Sequence, residues 1–460
     1  MSSSLISNRP QRAHQVPLHR SMRALLRDPL KEFGRVGQVS EGRIVRWNLG
    51  LTRPYVVSRP EHMQHVLRDN PDKYVREGML WKPIRRLFGD GIGTEGPTWS
   101  HRRGLLQPMF SAKNVTAHLS DLAAAISEAI DGLSFYARSG QPIDTQVEMT
   151  RIIHRALVHV FFGDTISTAD AARLGHAIDK AFVALGPRML LPSVPHSVPV
   201  PGDAAFRRAN RLVDDVLFPL IRDIRSRGAQ GDDMISVLCR GRDDDGNSLT
   251  DQQVRDDAVS MFAGASETSA VALTWLWVVL DSRPDVAAEL YAEIDRVIGS
   301  DQPEPAQLAA LPYTKMVLQE LLRLHPVAWI IPRQANQDDV IDGVRIKAGS
   351  TVLASPYLTH RIEEFWEQPE VFDPYRFAPG HGQRRHRFAY VPFGGGPHQC
   401  LGSHFFTVEA QLITATMLSR FRPRLVNRTP IIAQAAATLR PKQRVQLVLK
   451  PREGAVAAAA

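Results

Sequence analysis

The stretch Phe393-Gly394-Gly395-Gly396-Pro397-His398-Gln399-Cys400-Leu401-Gly402 decides how this chain is interpreted. Its glycines and proline predict a rigid turn, and a helical pattern follows through about Phe421. Backbone N–H groups and the positive end of that helix would stabilise a thiolate at Cys400. By itself the stretch is also compatible with an inert buried thiol, or with a cysteine nucleophile beside His398. A phosphate-binding loop does not fit, because the lysine and hydroxyl of the P-loop pattern are absent.

Length and composition are those of a soluble globular protein. The chain has 460 residues, of which 43% are hydrophobic and 23% charged. Length alone suggests about three domains, but no linker, composition shift or internal repeat divides the chain. We therefore predict a disordered segment over residues 1–20, one large domain over residues 21–450 and a disordered tail over residues 451–460.

The cysteines and the charge narrow the class further. Only Cys239 and Cys400 occur, which excludes a disulfide framework and a multi-cysteine zinc site and favours a reducing compartment. The formal net charge is +8, but Lys and Arg are scattered along the chain, so we expect no nucleic-acid partner. An acidic protein that docks on a basic face is the expected partner.

No membrane anchor is expected. The first twenty residues are polar and lack the apolar core of a signal peptide, which predicts a cytoplasmic protein. The stretch from Val259 to Leu280 is long enough to span a bilayer. It carries Glu267 at its middle, where a carboxylate in lipid would cost a few kcal/mol or more. A long helix buried in a soluble protein is the better interpretation.

The elements predict a mainly α fold with minor β structure (α+β), built around that long helix. Short strands are predicted at 43–49, 54–58 and 340–353, and helical periodicity dominates between 120 and 324. Within 340–353, Asp342-Gly343 and Ala348-Gly349 predict two turns. Thr250 and Gln253 form a capping box, and Pro284 ends the helix after about 30 residues, or roughly 45 Å. Its small residues from Ala263 to Thr268 indicate either close helix packing or the approach of something flat or bulky.

A second helix is predicted from Pro312 to Leu324, with polar residues on one stripe. Its periodicity alone makes Glu320 and Arg323 an exposed i,i+3 pair that contributes about 0.2–0.5 kcal/mol.

Taken together, these elements resemble the cytochrome P450 family of haem-thiolate monooxygenases, from about Arg43 to Leu449. The family pattern F-x-x-G-x-x-x-C-x-G is matched by Phe393, Gly396, Cys400 and Gly402. Its E-x-x-R element is matched by Glu320 and Arg323, and Pro374-Tyr375-Arg376-Phe377 resembles its P-x-R-F element. The resemblance implies that Arg376 joins the Glu320–Arg323 pair in a buried network, contrary to the periodicity.

The resemblance also implies a haem b cofactor, iron protoporphyrin IX, with Cys400 as the iron ligand whose thiolate assists O–O cleavage. The residues implied to bind the haem propionates are Trp99, Arg103, Arg333 and His398. His398 stands where the family more often has arginine, but a neutral imidazole can still donate one hydrogen bond. Phe393 and Gly402 are further cofactor-binding positions by the same match.

The middle of the long helix is similar to the oxygen-binding groove of the family. Gly264 and Ala265 would leave room above the haem, although Ala265 replaces the usual second glycine. Glu267 and Thr268 match the acid–alcohol pair that relays protons to dioxygen, and they are the catalytic residues that the resemblance implies.

The implied function is that of a soluble, bacterial-type monooxygenase that inserts one oxygen atom of dioxygen into a hydrophobic organic substrate. That substrate would be a lipid, terpenoid or polyketide-like secondary metabolite. Electrons derived from NAD(P)H would arrive through an acidic ferredoxin or flavodoxin with its reductase. Alternatives are a peroxide-driven peroxygenase, an oxidative ring-closing or coupling enzyme, and a non-catalytic haem sensor. The Glu267–Thr268 pair argues against the peroxygenase and the sensor.

Three further features receive interpretations of their own. The acidic run Asp243-Asp244-Asp245 could suggest a magnesium–diphosphate site, but its position before Gly246-Asn247 favours a solvated turn. The apolar stretch from Leu185 to Pro201 falls where the family has its mobile substrate lid. Cys239 is predicted to be a bystander.

Overall fold

The computed structural model describes residues 13–17, 19, 27–49, 52–191, 194–195, 197–243, 245–299, 302–382 and 384–452. The helices are α1 (Pro29–Ser40), α2 (Pro60–Gln64), α3 (Lys82–Phe88), α4 (Gly96–Leu106), α5 (Ala112–Ala117), α6 (Leu119–Asp131), α7 (Ser134–Ser139), α8 (Thr145–Phe162), α9 (Thr168–Ala184), α10 (Gly186–Leu190), α11 (Asp203–Ser226), α12 (Met234–Arg240), α13 (Asp251–Ser282), α14 (Pro284–Val297), α15 (Pro312–Leu324), α16 (Pro356–Thr359) and α17 (Ser403–Arg420). The strands are β1 (His14–Val16), β2 (Val45–Trp47), β3 (Tyr55–Val57), β4 (Tyr74–Val75), β5 (Ile143–Asp144), β6 (Ile331–Ala335), β7 (Asp339–Ile341), β8 (Val344–Ile346), β9 (Thr351–Ala354), β10 (Phe421–Leu425), β11 (Ala433–Ala435), β12 (Leu439–Pro441) and β13 (Gln446–Pro451). The predicted α+β class is confirmed.

The described residues fall into two compact units. One, the strand unit, comprises those within Met1–Gly78, Ala328–Val371 and Gln383–Cys400. The other, the helix unit, comprises those within Met79–Val327, Phe372–Gly382 and Leu401–Ala460. The prediction of one domain over residues 21–450 stays a prediction.

The strand unit contains a six-stranded sheet in the order β1-β2-β3-β9-β6-β4. Its centre pairs strands from distant parts of the chain, since β3 lies parallel to β9 with Tyr55 opposite Val352. Side chains of this sheet, such as Val57, form one buried cluster with Met63 of α2 and with Val391, which precedes the cysteine loop. Burial of these apolar groups stabilises the pairing, and it brings the chain just before the cysteine loop into the core.

A hairpin and an unexpected edge strand complete this unit. Asp342 and Gly343, with φ of 48° and 73°, make the tight turn between β7 and β8, as the sequence predicts. The prediction that residues 1–20 are disordered is wrong at His14–Val16, which pair in parallel with β2. Val16 is buried there, so burial of its apolar side chain stabilises the pairing of His14–Val16 with β2. Residues 1–12 lie outside the described residues.

The long central helix of the helix unit is α13. The capping box is present: the Thr250 backbone N–H donates to Gln253 Oε1 at 2.8 Å, and the Gln253 N–H donates to Thr250 Oγ1 at 3.2 Å. With 32 residues the helix is about 48 Å long, and it packs against α8, α11 and β12 among others. By length and composition it could cross a membrane, yet 72% of its most apolar 18-residue window is buried, as is typical of a core helix.

Two segments test the sequence predictions for the acidic run and for the C-terminal tail. The Asp243 N–H donates to the Asn247 carbonyl at 2.8 Å, and the Asp245 N–H donates to Asp243 Oδ1 at 3.1 Å. The described part of the acidic run therefore belongs to a turn in which Asp243 is half-buried and Asp245 is exposed, while residue 244 lies outside the described residues. At the other end of the chain, Pro451 pairs with Phe421 in β13, so structure extends into the tail predicted to be disordered. Residues 453–460 are outside the described part.

Candidate active site

The cysteine loop of the strand unit turns back on itself. Gly394 and Gly396 both have φ of 71°, in the left-handed region that favours glycine. The Cys400 N–H donates to the Phe393 carbonyl at 3.0 Å, and the Gln399 N–H donates to the Gly396 carbonyl at 3.1 Å. These bonds hold the loop, and the Cys400 side chain is exposed at its end.

Gly396 is required by space as well as by conformation. A Cβ at this position would lie 2.0 Å from the Leu67 carbonyl oxygen and 2.7 Å from the Arg68 Cα. Both belong to the π-helical turn His65–Asp69, which follows α2. Backbone packs directly on backbone here, so any side chain at residue 396 would displace the loop.

The remaining predicted site residues of the strand unit lie on two elements. Arg333 is buried in the middle of β6, opposite Val352 of β9, and its Nη1 donates to the Pro332 carbonyl at 2.9 Å. Phe393 and His398 are half-buried in the cysteine loop. A sheet strand and a braced loop are rigid supports for a binding site.

In the helix unit, Trp99 and Arg103 lie one turn apart on α4, and both are half-buried. The Arg103 Nε donates to Gln107 Oε1 at 3.2 Å. Gly402 precedes α17. Spacing of four residues places the α4 side chains on the same face of the helix.

A buried ion pair that sequence reasoning missed holds α4 in place. Arg102, which is 2% exposed, lies 3.0 Å through Nε from Asp257 Oδ2 on α13. The Ile92 N–H donates to the other oxygen of Asp257 at 2.7 Å. Burial raises the pKa of Asp257 to about 6. No local signal marks this pair, because each residue alone looks like an ordinary charged position on a helix.

The middle of α13 presents an open face. Gly264 and Thr268 are exposed and Ala265 is half-buried, although the turns before and after them are buried. Among the described residues, nothing lies within 4 Å of where a Gly264 Cβ would be. The Thr268 hydroxyl donates to the Gly264 carbonyl at 2.6 Å, a bond within one turn that often bends a helix. The helix therefore carries small side chains at the predicted groove and leaves open space beside them.

Glu267 does not share that face, since its side chain lines a cavity of about 1120 Å³ in the helix unit. Thr438 Oγ1 donates to its carboxylate at 3.5 Å. Burial raises the pKa of Glu267, and the nearby positive charge of Arg440 opposes part of that rise. The neighbouring Ser266 is hydrogen-bonded through Oγ to His154 Nε2 at 2.6 Å.

Glu320 and Arg323 of α15 are fully buried, so the surface pair that periodicity predicts is wrong. Arg323 makes two bonds to the Glu320 carboxylate, at 2.7 and 2.8 Å, and Arg376 Nε lies 3.3 Å from Glu320 Oε1. The Asp373 N–H donates to the same oxygen at 2.9 Å. The 3-10 turn Pro374–Phe377 packs on α15 and covers this polar stripe, which periodicity cannot anticipate.

Two buried titratable groups lie outside these sites. Glu409 of α17 is fully buried, and burial raises its pKa to about 8, so the carboxyl is protonated at neutral pH. Sequence reasoning gave no signal for it. Cys239 is buried in α12, and burial raises the pKa of its thiol. An uncharged thiol is a poor nucleophile and metal ligand.

Comparison with known proteins agrees with this arrangement. The sequence matches the cytochrome P450 family over residues 17–449. Pentalenene oxygenase of Streptomyces avermitilis is 31% identical over 90% of this chain and 91% of its own. Cyclooctat-9-en-7-ol 5-monooxygenase of Streptomyces melanosporofaciens is 30% identical over 90% of each chain.

Solved structures agree in fold. The haem domain of cytochrome P450DA superposes with a TM-score of 0.81 at 21% identity, over 96% of this chain and 98% of that chain. A cyanobacterial CYP120A1 with retinoic acid bound gives 0.80 at 21% identity, over 93% and 96%. Fold and sequence together define a haem-containing monooxygenase. The chain belongs to the cytochrome P450 family.

Proposed function

We propose that this chain oxygenates a hydrophobic terpenoid-type substrate by hydroxylation or epoxidation, with haem b held by Cys400 and electrons from a separate redox partner. The observation that carries the substrate class is the similarity to two oxygenases, whose names give pentalenene and cyclooctat-9-en-7-ol as substrates, over nine tenths of the chain. The net charge of +8 favours an acidic ferredoxin or flavodoxin as the partner. A cytoplasmic location is part of the same proposal.

The residues present fit a haem group. Cys400 is an exposed thiol on a braced loop, and thiolate is a soft ligand suited to haem iron. The hydrogen-bond donors that the family resemblance assigns to the propionates are Arg333, His398, Trp99 and Arg103. When bound, the haem supplies the oxygen chemistry and the protein supplies position and protons.

Four small or flat residues are assigned to the surroundings of the haem. Gly264 and Ala265 leave the open face of α13 without bulk, which suits the approach of a flat ring and dioxygen. Phe393 and Gly402 flank Cys400 in the chain and belong to the same cofactor site. The network of Glu320, Arg323 and Arg376 is assigned a structural role, because the first two side chains are fully buried and that of Arg376 is only 9% exposed.

Thr268 and Glu267 are assigned different parts of the proton transfer. The Thr268 hydroxyl lies on the open face of α13, where it would hold a proton at the groove assigned to dioxygen. The Glu267 carboxyl lies toward the cavity, and its raised pKa lets it hold a proton at a pH where an exposed glutamate is ionised.

The substitution Thr268→Ala should divert electrons to hydrogen peroxide, because the groove then lacks its proton donor. We expect product formation to fall by roughly 100-fold, the lower end of the range for proton-transfer groups. Product and peroxide formed per reductant consumed measure this. Thr416→Ala is the control, since Thr416 makes the same bond within one turn, at 2.8 Å, on α17. Equal coupling in Thr268→Ala and Thr416→Ala would contradict the relay.

The substrate class is tested by titrating the holoenzyme with cyclic terpene hydrocarbons and alcohols, fatty acids and macrolides, while the haem spin state is followed by absorption. We expect the cyclic terpenoids to shift the spin state at the lowest concentrations and to yield products with one added oxygen atom from dioxygen. A response restricted to fatty acids or macrolides would overturn the substrate class. Turnover with peroxide alone at the rate found with the redox partner would favour the peroxygenase.

A further inference from the structure

The segment that packs against the cysteine loop in the strand unit is a helical turn of unusual geometry. After α2 the chain continues into the π-helical turn His65–Asp69, and the Asn70 N–H donates to the His65 carbonyl at 3.1 Å. The Asn70 side-chain amide donates to the same carbonyl at 3.2 Å. π-helical turns are rare and occur frequently at functional sites. Because this geometry is less regular than an α-helix, the turn depends on contacts with the rest of the fold.

The π-helical turn meets the cysteine loop backbone to backbone. The carbonyl of Leu67 and the Cα of Arg68 lie so close to Gly396 that no Cβ fits there. The Arg68 guanidinium lies over the ring of Phe388, at 5.6 Å from its centroid, and Phe388 is buried in the same apolar cluster as Leu67. The position of the turn therefore sets the position of the loop that ends at Cys400.

The carboxylate of Asp339, in β7, makes polar contacts that hold this turn. Its Oδ2 is hydrogen-bonded to Nε2 of His65, the first residue of the turn, at 2.7 Å. The same oxygen accepts a bond from the Tyr74 hydroxyl at 2.8 Å, and Oδ1 accepts a bond from Lys73 Nζ at 3.0 Å. The Asp339 side chain is only 8% exposed, and Tyr74 is fully buried. One carboxylate thus connects the start of the turn to the chain that follows it.

These contacts keep the Asp339 carboxylate ionised and in place. Burial alone would raise its pKa, but the hydrogen bonds with His65, Tyr74 and Lys73 outweigh burial and lower the pKa of Asp339. Hydrogen bonds to an ionised group are about twice as strong as those between neutral groups. The hairpin that carries Asp339 is itself fixed by Ile341, which is buried in the apolar cluster of the sheet. The carboxylate is therefore a rigid anchor for the turn.

We infer that Asp339 is a positioning residue for the iron ligand: it fixes the π-helical turn, the turn supports Gly396, and the loop then presents the Cys400 thiolate in one place. The inference rests on the proposed role of Cys400 as the ligand. Groups that orient a metal ligand without touching the metal commonly change metal affinity and the properties of the metal. Asp339 acts through the turn and the loop, so it is not a catalytic residue.

Asp339→Asn tests this inference in the holoenzyme, because asparagine keeps the size of the side chain but lacks the charge and one acceptor oxygen. The reduced carbon-monoxide complex has a long-wavelength form with thiolate on the iron and a short-wavelength form without it. We expect the ratio of the first form to the second to fall at least about tenfold, the lower end for groups that orient a metal ligand. Asp338→Asn is the matched control, because Asp338 is 49% exposed and pairs with Arg345, which is 61% exposed. Its spectrum should match the wild type.

Two further variants separate the π-helical turn from the rest of the cluster. His65→Leu removes the bond between the turn and Asp339 but leaves the bonds of Lys73 and Tyr74, and we expect a spectral change like that of Asp339→Asn. Lys73→Met removes a bond from a side chain that lies outside the turn and is 34% exposed, so the change should be smaller. An equal change in His65→Leu and Lys73→Met would contradict the route through the turn. A purely structural carboxylate would lower the urea midpoint and leave the spectrum unchanged.

Amide hydrogen exchange in the resting holoenzyme measures the loop itself. The N–H groups of Gln399 and Cys400 are hydrogen-bonded within the loop, and they should exchange faster in Asp339→Asn and His65→Leu than in the wild type. A spectrum or an exchange rate equal to the wild type in Asp339→Asn would overturn the inference. If the wild type itself lacked the long-wavelength form, the assignment of Cys400 as the ligand would fail, while the exchange rates would still decide whether Asp339 positions the loop.

Discussion

Cys400→Ala is expected to abolish the long-wavelength absorption of the reduced carbon-monoxide complex and to reduce oxygenation to background. The band depends on thiolate ligation of the iron, and Cys400 is the exposed thiol at the end of the braced loop. Alanine keeps the backbone bond between residue 400 and the Phe393 carbonyl, so the loop should persist without its ligand. Absorption spectra of the reduced, carbon-monoxide-treated protein measure the effect.

The control is the other cysteine. Cys239→Ala removes a buried thiol from α12 in the helix unit, and we expect its spectrum and turnover to match the wild type. If the long-wavelength band survived in Cys400→Ala, the ligand assignment would be wrong. Loss of the band in Cys239→Ala would show that the bystander interpretation is wrong.

Arg323→Ala is expected to have the largest effect on stability. It leaves the Glu320 carboxylate fully buried without the two bonds of 2.7 and 2.8 Å that Arg323 donates. Removing one partner of a buried pair costs about 3–5 kcal/mol, out of a total of about 5–15 kcal/mol for a typical domain. We expect a much lower urea midpoint, or little soluble protein.

Two further variants keep this prediction testable. Arg323→Lys retains the charge but loses the planar two-point contact, so it should fold with an intermediate midpoint. Arg173→Ala is the control for an exposed pair at the same spacing, because Arg173 and Asp170 are 58% and 43% exposed, and it should cost at most about 0.5 kcal/mol. A midpoint for Arg323→Ala within error of that control would show that the network is dispensable.

Local elements could be predicted well because their causes are local. The capping box of Thr250 and Gln253, the end of α13 before Pro284, and α15 from Pro312 to Leu324 all agree with the sequence prediction. The Asp342-Gly343 turn does too. Each depends on side chains within a few residues of one another, or on a φ that only some residues adopt readily.

Distant contacts could not be predicted in the same way. Periodicity placed Glu320 and Arg323 at the surface, because the sequence of α15 does not show that the turn at Pro374–Phe377 packs on this helix. The burial of Glu409, the Arg102–Asp257 pair and the strand at His14–Val16 escaped sequence reasoning for the same reason. In the sequence, a charged residue of a helix that is exposed to solvent cannot be told from one that is buried beside a distant ion partner.

The sequence by itself determined the class of protein, through the spacing of Phe393, Gly396, Cys400 and Gly402 and the order of the other motifs. Its glycines also predicted the tight turn of the cysteine loop, since Gly394 and Gly396 both have a φ of 71°, which favours glycine. Only the tertiary structure decided on which side of α13 each member of the acid–alcohol pair lies. Glu267 accepts a hydrogen bond from Thr438, and the preceding Ser266 is hydrogen-bonded to His154 of α8. These partners are far apart in the sequence, so they meet only after long-range packing has formed.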